Sequence, residues 1–171
     1  MQNVAHQQTQ QWGFEKQETT DVTGAMHLSH RPEIVARDGR YVAFANGVIC
    51  DCYSGLEWFP GPDKDISWEE GCRWVGDLGV GGGGWRLPNL SELRGLYKMN
   101  KKGDNISPLF EINMTDVWSS EIQDETSAWG FNFLPGNKFW TCKTLSRRFR
   151  VLAVRPRNCR ASSRTVQKLA D

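Results

Sequence analysis

The order of the predicted secondary-structure elements constrains the fold of this chain more than any other feature. Short runs of β-branched and aromatic residues, separated by turn signals such as Asp38-Gly39 and Asn46-Gly47, predict an antiparallel meander over 34–59. Two helical segments follow, and a second group of strands is predicted over 117–155, with a hairpin turn at 135–137. Because the helices do not alternate with single strands, the order favours an α+β domain and disfavours a doubly wound parallel sheet.

Two N-terminal capping patterns define the predicted helices. Ser67 is followed three residues later by Glu70, so that each side chain can bond the other residue's backbone N–H, and a helix is predicted over 68–78. Asn89 is a second good N-cap residue and precedes a helix predicted over 90–99. Apolar residues recur at helical spacing in both segments, so each helix is expected to bury one stripe.

The chain is predicted to consist of one domain flanked by two polar segments. Residues 1–32 are expected to be an extended N-terminal arm, 33–157 to form the domain, and 158–171 to be a basic C-terminal tail. No apolar run approaches the roughly 20 residues of a membrane helix, so no membrane span is expected. The polar N-terminus is not an intact signal peptide, which leaves two alternatives: a cytoplasmic protein, or one whose leader is missing from this numbering.

Charge is distributed unevenly along the chain. Residues 1–137 hold 11 Lys+Arg and 19 Asp+Glu, net −8, whereas residues 138–171 hold 10 Lys+Arg and one Asp, net +9. Such asymmetry is typical of a protein with an anionic partner. The alternative is that the basic strands pair with the acidic body of the same domain, which would leave no free positive patch.

A series of short motifs occurs in one order along the domain. They are Asn46-Gly47, Asp51, Ser54 to Trp58, Ser67 to Glu70, Trp85 to Asn89 with Glu92-Leu93, Val117 to Ser120, and Ala153 to Arg155. The ordered set resembles the C-terminal domain family of the Legionella collagen-like protein, over roughly residues 37–157. The resemblance implies a C-type lectin-like fold, with two small antiparallel sheets, two helices packed on them and long loops from the second sheet.

The resemblance also implies binding rather than catalysis, by a surface or secreted protein located outside the cell or at its surface. It implies that the most recognisable residues are structural, with Arg86 paired to a carboxylate and the motif tryptophans in the core: Trp58, Trp68, Trp85 and Trp118. No enzyme is expected, because no Cys–His–Asp set stands out and all three histidines lie in the arm: His6, His27 and His30.

Neither a cofactor nor a metal is expected. No C-x-x-C pair is present, and the sugar-binding signatures of calcium-dependent lectins, Glu-Pro-Asn or Gln-Pro-Asp with Trp-Asn-Asp, are absent. Calcium is an open alternative at 103–125, where acidic residues are frequent: Asp104, Glu111, Asp116, Glu121, Asp124 and Glu125. The five cysteines are interpreted as free and buried, with one disulfide involving Cys72 as the alternative.

The predicted ligand-binding surface lies in the loops of the second sheet and in the basic C-terminal strands. Trp140 offers a flat face to a sugar, and the arginines can grip a carboxylate or sulfate group. In a last strand predicted over 148–155, alternation is expected to place Arg148 and Arg150 on one face, with Phe149 and Val151 towards the core. The candidate binding residues are Lys138, Trp140, Lys143, Arg147, Arg148 and Arg150.

The expected partner is an anionic polysaccharide or an acidic protein surface. A second hypothesis is a structural or assembly subunit of a surface filament or homo-oligomer, in which the arm and the tail reach neighbouring subunits. Nucleic acid is disfavoured as a partner, because no nucleic-acid-binding motif is present, although aromatic residues do interleave with the cations.

Overall fold

A five-stranded sheet joins the beginning of the domain to its end. The computed structural model describes residues 32–99, 105–113 and 115–157, so most of the predicted arm and all of the tail lie outside it. The strands of the first sheet are β1 (Ile34–Asp38), β2 (Tyr41–Phe44), β3 (Ile49–Asp51), β4 (Leu56–Pro60) and β9 (Leu152–Pro156). They lie in the order β1-β2-β3-β4-β9, with every neighbouring pair antiparallel. The predicted meander is therefore confirmed.

A second sheet contains the other four strands. They are β5 (Asp116–Ile122), β6 (Ser127–Asn132), β7 (Asn137–Cys142) and β8 (Phe149–Arg150), in the order β7-β6-β5-β8. The short β8 runs parallel to β5, so this sheet is mixed and not purely antiparallel as predicted. The difference arises because the chain crosses from β7 at one edge to β8 at the other before it resumes pairing.

Both predicted helices are present, with the capping that the sequence indicates. Helix α1 (Trp68–Asp77) and helix α2 (Leu90–Leu96) each begin at a complete capping box. The predicted extension of α2 to residue 99 is wrong, because Tyr97 has an extended backbone and the next N–H, of Lys98, donates to the carbonyl of Asn105. Within the described ranges, neither helix is long and apolar enough to cross a membrane.

The strand predicted over 148–155 is in fact two strands in two sheets. Phe149 and Arg150 pair with β5, whereas the residues from Leu152 onwards pair with β4. Between them, the carbonyl of Val151 accepts a hydrogen bond from Gly61 N–H at 3.0 Å. This single residue carries the chain from the second sheet to the first.

The second sheet is buried on both of its faces around β5. On one face Val117 belongs to a cluster with Leu93 and Phe131, and on the other Trp118 stacks on Phe149 with 3.9 Å between ring centroids. The expected core role of the motif tryptophans is confirmed for three of them, with exposed fractions of 1%, 7% and 0% for Trp58, Trp85 and Trp118. Trp68 is half-buried at the margin of the second cluster, where its indole N–H donates to the carbonyl of Ser119.

Candidate binding surface

Strand β7 lies at the edge of the second sheet, and its side chains alternate between core and solvent. Phe139 packs inward, with its ring centroid 5.7 Å from that of Phe149. Lys138 and Trp140 flank it along the strand and therefore lie on the opposite face of the sheet. Both are exposed, and Trp140 leaves 56% of its surface open to solvent.

A second tryptophan lies beside Trp140 on the same face. The antiparallel register of β6 and β7 places Trp129 directly opposite Trp140. The ammonium Nζ of Lys138 lies 4.8 Å from the centroid of the Trp129 ring, which is cation–π distance. The name aromatic face is used below for these three residues, Lys138, Trp129 and Trp140.

The hairpin between β6 and β7 sets this juxtaposition. Gly136 has φ +71, and a side chain there would overlap the ring of Tyr97, so glycine is required for the turn. The turn brings Asn132 opposite Asn137. Further from the turn along the same two strands, Trp129 lies opposite Trp140. The local turn therefore determines which two aromatic rings meet.

The aromatic face combines two chemical properties. Indole rings present broad apolar surfaces with a polar N–H edge, which suits the apolar C–H face of a sugar ring. The Lys138 ammonium adds one positive charge beside these rings. An exposed charge of this kind contributes well under about 1 kcal/mol alone, so it confers preference for an anionic ligand more than affinity.

Lys143 is placed by contacts within the domain. Its ammonium donates to the carbonyl of Glu125 at 2.8 Å and lies 5.2 Å from the centroid of the Trp68 ring. Its own carbonyl accepts from the Trp68 N–H at 3.0 Å. Lys143 therefore attaches the end of β7 to the start of α1, at the opposite end of the strand from Lys138.

Arg147 and Arg148 are exposed, but they lie in the crossing loop and not on β7. Arg148 has φ +70, a left-handed conformation that takes it out of the strand it was expected to begin. Hydrogen bonding by Arg150 lowers the pKa of the Asp65 carboxyl, with smaller contributions from the Arg148 N–H and the charge of Arg147. The backbone of Arg148 and the charge of Arg147 are therefore close to Asp65, in the acidic loop at 63–65 of the same domain.

The structure corrects the expectation for Arg150. The residue is only 8% exposed, and its guanidinium forms ion pairs with Asp63 at 3.1 Å and Asp65 at 2.9 Å. It also donates to the side-chain oxygen of Asn113 at 3.2 Å. Because these contacts occupy the guanidinium, Arg150 holds β8 against the 63–65 loop and offers no free group to a ligand.

Two further arginines also pair with acidic residues of the same domain. Arg86 binds Glu92 through two hydrogen bonds of 2.8 and 2.6 Å, which confirms its expected carboxylate partner. Arg155 donates to Glu57 at 2.8 Å. Part of the charge asymmetry along the chain is therefore internal complementarity.

The six predicted binding residues thus do not form one patch. Lys138 and Trp140 share the aromatic face, Lys143 contacts α1, and Arg147 and Arg148 lie at the acidic loop. Trp129 lies in a predicted strand, but the sequence pattern alone did not predict a binding role for it. The hairpin turn indicates the position of Trp129, because pairing the two strands outward from this turn places position 129 opposite position 140.

Three acidic side chains of the 103–125 region have hydrogen-bond partners within the domain. Asp116 accepts from the Asn132 amide, Glu121 from the Leu90 N–H, and Asp124 from the Thr126 N–H. Among the described residues, no three His, Cys, Asp or Glu side chains converge as metal ligands would. Asp104 lies outside the described residues.

The four cysteines that the structure describes are free, and they differ in their surroundings. Cys50 is buried, Cys72 is half-buried, and Cys52 and Cys142 are exposed, which corrects the expectation that all are buried. Cys52 lies in the turn after β3 and not on the strand face with Cys50. Burial raises the pKa of the Cys50 thiol to about 11, whereas hydrogen bonding to Thr144 lowers that of Cys142.

These features define the class of protein. The chain forms an α+β domain of the C-type lectin-like kind. This domain contains two sheets and two capped helices, and β4 pairs with β9 near the domain ends. The Lcl C-terminal domain model matches residues 47–155, and the chain belongs to that family. No curated protein matches the chain.

Proposed function

We propose that this domain is a non-enzymatic binding module of a surface or secreted protein, and that the aromatic face binds an anionic glycan. The observation that carries the proposal is the exposure of Trp140, 56% open to solvent, directly opposite Trp129 and beside a lysine. A large aromatic side chain left exposed on a regular strand is a common feature of interaction sites. Membership of the Lcl C-terminal domain family supports a binding role.

The test is the affinity of the full chain for three probes: a heparin-type sulfated polysaccharide, polygalacturonate, and neutral dextran. Binding to the two anionic probes is expected, and it should weaken with added salt because exposed charges are screened over about 8 Å at physiological ionic strength. Trp129→Ala and Trp140→Ala should each reduce the affinity roughly tenfold, which corresponds to ~1.4 kcal/mol. Lys138→Gln should reduce affinity for the anionic probes and flatten the salt dependence.

Two controls locate the site. Tyr53→Ala removes an aromatic residue that is 84% exposed on the first-sheet side of the domain, and it should leave the affinity unchanged. The double variant Arg147→Ala, Arg148→Ala removes the other exposed cations of the predicted surface. If that double variant loses binding and the tryptophan variants do not, the ligand surface is the crossing loop and the proposal for the aromatic face is wrong.

A further inference from the structure

A groove separates helix α1 from the loop that precedes it. Four residues of α1 line one wall, and their spacings of three and four residues place them in one stripe along the helix. They are Glu70, Arg73, Trp74 and Asp77. Gly71 and Val75, on another side of the helix, are buried in the domain. The groove has a volume of about 400 Å³, which is enough for one sugar ring.

The loop at 62–66 forms the opposite wall, and its residues alternate between two neighbours. Asp63 and Asp65 bind the buried Arg150. The residues that alternate with them line the groove: Pro62, Lys64 and Ile66. Ile66 is only 2% exposed, and its carbonyl accepts the indole N–H of Trp118 at 2.9 Å. The loop is therefore attached to the core on one side and presents its lysine to the groove on the other.

The ring of Trp74 provides a supported apolar surface in the groove. It packs against Phe59 with 6.4 Å between ring centroids, and Phe59 in turn packs against Trp85 at 6.0 Å. Trp74 is half-buried, so part of its surface remains open to solvent. An indole held in this way suits the apolar C–H face of a sugar ring.

Two cations and two carboxylates line the groove together with this ring. The Glu70 carboxylate accepts the Ser67 N–H at 2.8 Å. Hydrogen bonding to Ser67 lowers the pKa of the Glu70 carboxyl, and the nearby charges of Lys64 and Arg73 lower it further. Both cations therefore lie close to one ionised carboxylate. In the described part of the chain, however, none of Lys64, Arg73 and Asp77 forms an ion pair, so these three charges are available to a ligand.

We propose that this groove binds a small zwitterionic sugar, with the ligand's carboxylate between Lys64 and Arg73 and its ammonium group beside Asp77. Because positive and negative side chains occur in equal number, a ligand with one charge alone meets a repulsive partner as well as an attractive one. Arg73 and Asp77 are four residues apart, about 6 Å of helix rise, so the two charges of the ligand must also be separated. A sugar ring can separate an amino group from a carboxylate, whereas both charges of a free amino acid lie on one carbon atom.

This site is distinct from the proposed glycan site, because it lies on α1 and not on the aromatic face. Trp140→Ala should therefore leave binding of the zwitterionic sugar unchanged, although it should weaken binding of the anionic polysaccharides. The two proposals can thus fail separately.

Three small probes test the charge preference of the full chain in an NMR titration. The methyl glycoside of neuraminic acid carries an amino group and a carboxylate, that of N-acetylneuraminic acid carries only the carboxylate, and methyl glucosaminide carries only the amino group. The zwitterion should bind roughly threefold more tightly than either of the others, as expected for one additional exposed ion pair. It should also shift the indole N–H resonance of Trp74, which lines the groove.

Removal of charge at each end of the groove provides the variants. Asp77→Asn should abolish the preference for the zwitterion over its N-acetylated form. The double variant Lys64→Gln, Arg73→Gln should weaken binding of both carboxylate-bearing probes about tenfold, roughly threefold for each charge. The controls are Glu69→Gln and Arg94→Gln, which remove exposed charges outside the groove and should bind the probes like the wild type.

Equal affinity of the wild type for the zwitterion and for its N-acetylated form overturns the proposal. An Asp77→Asn variant that keeps the full preference also overturns it, as does a Glu69→Gln variant that loses the preference equally. A Trp74 resonance that does not move at tens of millimolar zwitterion excludes the groove as the site. Thermal unfolding of each variant is measured alongside, and it should match that of the wild type because the substituted side chains are exposed.

Discussion

The guanidinium of Arg155 lies over the ring of Trp85, with its Cζ atom 4.2 Å from the centroid of the indole ring. The same group donates to the carbonyls of Val80, Gly81 and Gly83 at 3.1, 3.0 and 2.6 Å. The indole N–H of Trp85 donates to the Val80 carbonyl at 2.8 Å. One arginine on β9 therefore holds the backbone of the loop that contains the four-glycine run at 81–84.

Gly81 and Gly84 provide a matched pair that tests this arrangement. Both have positive φ, so alanine at either position should cost about 1–2 kcal/mol in backbone strain. Only at Gly81 would the new Cβ meet the Arg155 guanidinium, at 2.5 Å, and that group is held by three carbonyls and by Glu57. Gly81→Ala should therefore lower the free energy of unfolding by a further ~1–3 kcal/mol in urea denaturation. Equal losses for the two variants would mean that the guanidinium can move aside.

Arg155→Lys should destabilise the domain although the charge is kept. The side chains of Arg155 and Glu57 are only 8% and 16% exposed, and lysine cannot reproduce the planar set of donors. We expect a loss of about 3 kcal/mol in the free energy of unfolding, as for other disrupted buried pairs. The exposed Arg157→Lys is the control and should unfold at the wild-type urea concentration. A stable Arg155→Lys variant would show that charge alone is sufficient.

The Arg86–Glu92 pair predicts a pH dependence of stability. Burial alone would raise the pKa of Glu92, but hydrogen bonds from Arg86 and from the Asn89 N–H lower it below its ordinary value. A lowered pKa stabilises the fold above the unfolded-state value of about 4.3, and this stabilisation is lost as pH falls through the folded-state value. Glu92→Gln should therefore be about 1 kcal/mol less stable at pH 7, a figure that allows for solvent screening of the half-exposed Arg86, and nearly equal to the wild type at pH 3. A constant difference across this range would exclude the ionised pair as the cause.

The cysteines should differ in their reactivity towards iodoacetamide. At pH 8 the native protein should react at Cys142, whose pKa is lowered by hydrogen bonding to Thr144, and not at the buried Cys50, whose pKa is about 11. Peptide mapping by mass spectrometry after short exposure measures this directly. In urea both residues should react. Modification of Cys50 under native conditions would show that the first sheet opens locally.

Features set by neighbouring residues could be predicted from the sequence. Both capping boxes depend on side chains three residues apart, and both occur as expected. The first meander also depends on local turns, of which Asp38-Gly39 is the clearest. The ordered motifs predicted the family.

Features set by distant residues could not be predicted. Arg150 resembles an exposed strand cation, but Asp63 and Asp65, far away in sequence, hold it in a buried ion pair. The division of the last strand at Val151 depends likewise on Gly61, which binds its carbonyl. The position of Trp129 opposite Trp140 is an intermediate case, because it can be predicted only when the residues of the hairpin are paired one by one.

Two-dimensional NMR of the indole N–H groups, recorded while a heparin-type oligosaccharide is added, tests the proposed binding surface most directly. The eight tryptophans each give one resonance and are assigned by substitution. We predict progressive shifts for Trp129 and Trp140, and none for the buried Trp58 and Trp118. Binding that leaves the Trp129 and Trp140 resonances unmoved, or no binding to any anionic probe at low salt, would contradict the assignment of the aromatic face as the glycan site.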